Sequence, residues 1–229
     1  MPRPARRALR TIAAEDVGAY RLLRLERADV DPGRPGQFFM LQPPGRTLPR
    51  PMSLCLAPAD ELAFLVDPIG PGTRALASAR PGDEIAVLGP LGNGYDLDVE
   101  RPLLVGGGIG VAPLPYLAET LGVSRTVLGF RSPYHAEAAA LLPDAEVVID
   151  PTFVTDVLPD GHDVLACGPE PMLRAIADRF PAAQLAWEAP MACGFGACYG
   201  CAVEIDGELK RLCLEGPVLR SQAVAGAPA

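Results

Sequence analysis

Short apolar runs, each closed by proline or glycine, fill the first hundred positions of the chain. Runs at 20–25, 37–41, 52–56, 62–66 and 84–88 predict strands, interrupted by one short helix over 73–79. Many short strands with such turns predict a closed β-barrel. The pattern changes at Arg101-Pro102. From there, strands at 103–105, 126–130, 146–149, 163–166 and 185–187 alternate with helices at 112–121, 135–142 and 170–180, which predicts a parallel α/β sheet. Beyond 189 the pattern becomes short and glycine-rich, with a hairpin over 202–205 and 208–212 about the turn Asp206-Gly207. The fold class is therefore α+β and multidomain: a barrel over 1–98, an α/β nucleotide-binding-like domain over 99–188 and a small C-terminal domain over 189–229.

The small domain carries the clearest chemistry. Four of the six cysteines are set as Cys193-x4-Cys198-x2-Cys201-x11-Cys213, the plant-type spacing of a 2Fe–2S cluster held by four thiolates. Pairing outward from the turn sets Ile205 against Glu208, Val203 against Lys210 and Cys201 against Leu212, so Cys213 arrives opposite Gly200, beside the other thiols. Backbone N–H groups among Gly194, Gly196 and Gly200, with Lys210 and Arg211, can offset the negative charge of such a cluster. The alternatives are a zinc site, which usually takes two separated C-x2-C pairs, or a disulfide pair.

Composition narrows the classes. A net charge of −8 argues against nucleic acid, and no apolar run approaches the roughly 18 residues of a membrane span. The Arg-rich start lacks the apolar centre of a secretory signal and is taken as a basic lead-in to the first strand. Iron–sulfur chemistry implies a reducing interior, so the cytoplasm is expected.

Other motifs suit nucleotides. Arg50, Pro51, Met52 and Ser53 lie on a barrel strand, where a guanidinium and a hydroxyl suit an anionic ligand such as a flavin nucleotide. Gly70-Pro71-Gly72-Thr73 opens the short helix and offers free N–H groups to a pyrophosphate. The glycine loop with Gly107, Gly108 and Gly110 follows a strand and opens a helix, and Cys167-Gly168 ends another strand at the carboxyl edge where α/β sheets bind ligands. The acidic ribose ligand expected after the second strand is absent; that strand ends in Arg131. Cys55 reads as core, and His135 and His162 as surface residues.

In this order RPMS, GPGT, LGPLGNGY, GGGIGVAP, GFRS, CGPEPM and CGFGACYGC resemble the iron–sulfur electron-transfer subunit of type B dihydroorotate dehydrogenase, from about Gly36 to Leu219. The resemblance implies a ferredoxin reductase-like fold with FAD on Arg50, Pro51, Met52 and Ser53, lined by Leu65, Val66 and Asp67, its phosphates on Gly72 and Thr73. It implies Cys193, Cys198, Cys201 and Cys213 as cluster ligands. It further implies an oxidoreductase component relaying electrons between NAD(H), or another carrier, and a catalytic dihydroorotate dehydrogenase subunit of pyrimidine biosynthesis, in a hetero-oligomer of heterotetramer type. The rivals are a related reductase subunit serving a hydrogenase, a sulfide dehydrogenase or a ferredoxin, and a non-enzymatic iron–sulfur or zinc regulator. One departure stands out. Relatives carry a T-D-D-G-S-x-G type loop after the third α/β strand, whereas here Asp150-Pro151 runs straight into Thr152-Phe153-Val154-Thr155. Either the loop is trimmed without effect, or NADH is held weakly and another carrier serves the flavin.

Overall fold

The computed structural model describes residues 5–122, 125–205 and 207–221. The first sheet has six strands: β1 (Ala5–Val17), β2 (Tyr20–Glu26), β3 (Phe38–Gln42), β4 (Arg50–Ser53), β5 (Glu61–Val66) and β6 (Glu84–Leu91), in the order β4-β3-β6-β1-β2-β5. Just beyond β4 the chain closes this sheet on itself. The Cys55 N–H donates to the Ala63 carbonyl at 2.8 Å, and the Ala63 N–H returns to Leu56 at 2.9 Å. The Arg-rich start is not a lead-in: Ala5–Arg10 pair with β6 and Thr11–Val17 with β2, which makes β1 the longest strand of the barrel. Leu9 and Thr11 point inward while Arg6, Ala8 and Arg10 stay exposed, so the two-residue period is present but carried by few apolar residues.

Alternate residues of these strands, among them Leu23, Leu25, Phe39, Leu41, Phe64, Ile85 and Val87, fill the barrel. Phe39 and Phe64 meet edge-on with centroids 5.6 Å apart. Burying each such side chain stabilises the fold by roughly 1.5–3 kcal/mol. Helix α1 (Pro71–Ala77) packs over the barrel wall through Leu76 and Ala77.

The second sheet comprises β7 (Pro102–Gly107), β8 (Arg125–Phe130), β9 (Glu146–Ile149), β10 (Asp163–Cys167), β11 (Gln184–Ala186) and β14 (Val218–Arg220), ordered β14-β11-β10-β7-β8-β9. The first five run parallel; β14 is an antiparallel edge. Chain order reverses between β7 and β10, which creates the crevice where such sheets bind ligands. Helices α2 (Leu114–Leu121), α3 (Pro133–Ala136), α4 (Val154–Val157) and α5 (Glu170–Arg179) cover the faces. Between β11 and β14 lies the cysteine segment, with the hairpin β12 (Ala202–Ile205) and β13 (Glu208–Arg211) and the short helix α6 (Leu212–Glu215). The hairpin has the expected register, Ile205 opposite Glu208 and Val203 opposite Lys210. Asp206 of the expected turn lies outside the described residues. Val218–Arg220, expected within the small domain, belong instead to the nucleotide-type sheet.

Polar contacts fasten the barrel to that sheet. The buried Tyr95 hydroxyl donates to the Ala166 carbonyl on β10 at 2.9 Å, and Gln184 and Asp96 exchange two bonds at 2.7 and 2.8 Å. Tyr95→Phe is expected to cost about 1 kcal/mol by removing a buried hydrogen bond. Chemical denaturation of the variant checks this, and an unchanged midpoint would show that water replaces the hydroxyl. No helix among the described residues is long and apolar enough to cross a membrane.

Candidate functional site

Three groups of residues are candidates. The first is at the open end of the barrel. Arg50 opens β4 just after a proline-containing turn, and its Nη1 donates to the carbonyls of Leu48 and Pro49 at 3.0 and 3.1 Å. Its guanidinium lies directly over Gly72: a Cβ there would come within 2.4 Å of Arg50 Nε. Only glycine leaves room for this packing, and it joins the RPMS and GPGT motifs into one cradle. The first intrahelical bond of α1 runs from the Arg74 N–H to the Gly70 carbonyl, so the N–H groups of Gly72 and Thr73 have no partner within the helix. Guanidinium and free amides together suit a pyrophosphate. Thr73 Oγ1 is already engaged, accepting from the Gly70 N–H at 3.0 Å and donating to its carbonyl at 3.2 Å. Thr73→Ala should therefore cost about 1 kcal/mol as a lost cap, with a smaller effect on ligand retention than loss of Arg50. A thermal melt matching the parent would show that the hydroxyl does not hold the helix start.

Pro51, Met52 and Ser53 are half-buried along β4. Leu65 and Val66 turn their side chains into the core and can offer a ligand only backbone. Asp67 turns elsewhere, into the second site. This is a cavity of about 530 Å³ at the carboxyl edge of the parallel sheet, walled by Tyr20 and Asp67 from the barrel and by Gly107, Gly108, Phe130, Arg131, His135, Thr152, Phe153 and Met172 among others. Burial raises the Asp67 carboxyl above its usual range, against the pull of Arg131 and His135. Burial likewise pushes the Tyr20 phenol up to about 12, with Asp67 adding to it.

His135 is thus a cavity residue, contrary to its reading as a surface one. The available signal was its spacing of four from Arg131 at the end of a parallel strand. Gly110 and Gly168 stand behind the cavity wall. A Cβ on Gly110 would lie 2.2 Å from the Cys167 carbonyl oxygen, and one on Gly168 3.0 Å from the Gly107 nitrogen. These glycines let the two loops at the switch point touch backbone to backbone. Gly110→Ala is expected to destabilise the protein by about 3 kcal/mol, since backbone cannot yield as a side chain does. Cys167 is buried beside them, and burial, with Glu188 adding, holds its thiol well above the ordinary range. Cys55 is fully buried and pushed up to about 12 by burial, in keeping with a core residue.

The third site is the cysteine loop. Gly194 and Gly196 have φ of +79° and +83°, and Cβ atoms there would strike Met40 Cγ at 2.4 Å and Leu214 Cδ1 at 2.5 Å. Those contacts press the loop against β3 on one side and α6 on the other. The Ala197 N–H points at Cys193 Sγ at 3.3 Å, and the Gly200 N–H at Cys198 Sγ at 3.4 Å. Arg211 ties the loop down, donating from Nη1 to the Gly196 carbonyl at 3.1 Å and lying over the Tyr199 ring at 4.7 Å. The Cys193 thiol lies beside Cys198, and the Cys213 thiol beside Cys201 with Cys193 also acting on it, so that the four gather in one region as an outer and an inner pair. The second pair is buried among Phe38, Met40, Leu91 and Leu212; in the first, Cys193 is half-buried and Cys198 exposed. Burial raises Cys193, but the N–H groups of Phe195, Cys198 and Ala197 and the Cys198 thiol outweigh it and bring it to about 7. Burial, then its neighbour Cys201, pushes Cys213 up to about 12.

Among the described residues no three cysteine, histidine or carboxylate groups gather as ligands of a single ion. A binuclear cluster asks for something else, two thiolates on each of two irons. Two buried and two outward thiols, with N–H groups aimed at sulfur, suit that donor set.

Residues 188–225 match the family described as the iron–sulfur cluster binding domain of dihydroorotate dehydrogenase B. Most of the chain is similar to proteins named dihydroorotate dehydrogenase B (NAD(+)), electron transfer subunit. That of Bacillus caldolyticus is 40% identical over 222 residues, covering 83% of this chain and 86% of the relative. That of Clostridium perfringens is 33% identical over 229 residues, covering 90% and 92%. Two solved structures share the fold. An NADH-dependent reduced ferredoxin-NADP oxidoreductase aligns with a TM-score of 0.80 at 23% identity, over 94% of this chain and 89% of its own. Phthalate dioxygenase reductase aligns with a TM-score of 0.63 at 16% identity, over 89% and 87%.

Proposed function

We infer the function from kinship and geometry together: the chain belongs to the family of dihydroorotate dehydrogenase B electron transfer subunits, and we propose that it relays electrons between a nicotinamide dinucleotide and a catalytic dihydroorotate dehydrogenase subunit in pyrimidine biosynthesis. The observation that carries this reading is the grouping of the four cysteines, one pair buried against the barrel and one pair outward. FAD, when bound, exchanges a hydride for single electrons, and a 2Fe–2S cluster accepts them one at a time.

The chain's own residues do the positioning. Arg50 over Gly72 would hold the flavin phosphates, and Pro51, Met52 and Ser53 along β4 would line the rest of the flavin. The cavity walled by Gly107, Gly108, Arg131 and Phe153 at the switch point would take the dinucleotide, with Tyr20 and Asp67 of the barrel on its wall. Cys201 and Cys213 are the ligands nearest the barrel, since they share a cluster with Phe38 and Met40 of β3; that apolar shell keeps water from the inner half of the centre. Cys193 and Cys198 face outward beside Phe195, Tyr199 and Leu214, which are 53%, 64% and 41% exposed. An apolar rim around an electron exit suits a docked catalytic subunit in a hetero-oligomer of heterotetramer type. The free cysteines suit a reducing compartment, so we place the protein in the cytoplasm.

The test is reconstitution. Protein purified without air should bleach its flavin on addition of dihydroorotate only when the catalytic subunit is present. Absence of bleaching with that subunit present and competent would remove dihydroorotate dehydrogenase as the partner and leave another reductase role.

A further inference from the structure

The barrel sends a side chain of its own into the cavity at the carboxyl edge of the parallel sheet. Tyr20, the first residue of β2, is only 2% exposed, yet among the described residues its hydroxyl has no hydrogen-bond partner. Buried phenols normally find one. The hydroxyl stands over the glycine loop that follows β7: a Cβ on Gly108 would lie 3.9 Å from it. Both residues line the cavity, so the open valence of the phenol is turned toward whatever fills that space.

The surroundings hold the ring still. The turn between β1 and β2 passes through Gly18 at φ +56°, where a Cβ would strike the Tyr134 carbonyl oxygen at 2.1 Å. Ala19 donates its N–H to the same carbonyl at 3.3 Å. The Tyr20 ring meets His135 edge-on with centroids 5.7 Å apart, and the next residue, Arg21, pairs with Val66 of β5. The barrel turn is thus docked on α3, and the phenol is in place before a ligand arrives.

A fixed donor over a glycine loop calls for an acceptor between the two. Burial keeps the phenol protonated at neutral pH, so it donates. Gly108, at φ +54° and without a Cβ, lets a ligand come close to the loop backbone. Arg131 and His135 lie near Asp67 and offset its charge, which leaves this part of the cavity able to take an anion.

We propose that Tyr20 is a dinucleotide-binding residue supplied by the barrel, its hydroxyl donating to the pyrophosphate where that group rests on the loop at Gly107 and Gly108. The inference rests on the reading of the cavity as the dinucleotide site. It makes the ligand a clasp between two domains, with the loop of the parallel sheet on one side and the phenol of the barrel on the other.

Titration calorimetry on the full flavin-loaded chain tests it with NAD+ and ADP-ribose, which share the pyrophosphate and differ in the nicotinamide. Tyr20→Phe removes one oxygen and keeps the ring against His135, so flavin content, iron content and thermal midpoint should match the parent. Both probes should bind the variant about tenfold more weakly, the scale of one hydrogen bond to a charged group. Parent-like affinity for both would overturn the proposal. A loss confined to NAD+ would overturn it as well, by setting the hydroxyl at the nicotinamide end. A midpoint lowered together with the affinities would give the hydroxyl a structural role in place of a binding one. Failure of the parent protein to bind either probe would overturn the dinucleotide reading itself and this inference with it.

Discussion

Replacing Cys213 with serine is expected to strip the protein of nearly all its iron and sulfide. The parent chain, purified without air, should hold about two irons and two sulfides. Cys213 sits in the first turn of α6, is 1% exposed and faces Cys201, so no other cysteine can swing in to take its place. A serine there presents a hydroxyl in an apolar shell, a poor donor to iron and hard to ionise where water is excluded. The outer pair alone cannot hold a binuclear centre. Cys55→Ser, at a fully buried thiol in the barrel domain, is the control and should keep its iron. Iron and sulfide analysis with the reduced-state EPR spectrum checks both. A Cys213→Ser protein with full iron content would remove this residue from the ligand set. One zinc and no sulfide in the parent would end the iron–sulfur reading altogether.

Arg50→Ala is expected to weaken FAD retention about ten- to hundredfold, the equivalent of roughly 1.5–3 kcal/mol for a lost charge-assisted contact. The packing of Arg50 over Gly72 makes the prediction sharper. If the guanidinium acts from that position, Gly72→Ala should release flavin too, because the new methyl group displaces the guanidinium while leaving it in the chain. Arg74→Ala, whose side chain only donates to the Ile69 carbonyl, should retain flavin as the parent does. Flavin content after gel filtration and a fluorescence titration of the apoprotein measure all three. Unchanged retention in Arg50→Ala would move the phosphate site away from this cradle.

How much of this was legible in the sequence follows from how local each feature is. The hairpin register could be counted outward from its turn, and the cysteine spacing carried its own chemistry. The alternation of strands and helices after Arg101 was equally plain. Strand β1 was missed because its exposed face is arginine-rich and only Leu9 and Thr11 mark the inner one before residue 12. Strand β14 was missed for another reason: three residues have no period to read, and only pairing with β11 makes them a strand. The meeting of Arg50 with Gly72 is tertiary and leaves no trace in either motif. So is the division of the thiols into inner and outer pairs, since spacing says which residues gather but not which turn inward. The glycines at 107, 108, 110 and 168 were seen as a single class, yet two wall the cavity and two allow backbones to touch.

The return of the chain to the sheet at β14 has a consequence for the modularity of the molecule. Ala186 and Val218 lie side by side, so the whole excursion over 187–217 leaves and rejoins the body through one doorway. Two antiparallel neighbours can be joined by a two-residue turn. A shortened protein with Ala186 linked in this way to Val218 should keep the barrel, the parallel sheet and its flavin while carrying no iron. The scar would lie on the barrel, where Phe38, Met40 and Leu91 lose their cover, so the cartridge can be removed at the expense of solubility rather than of the scaffold.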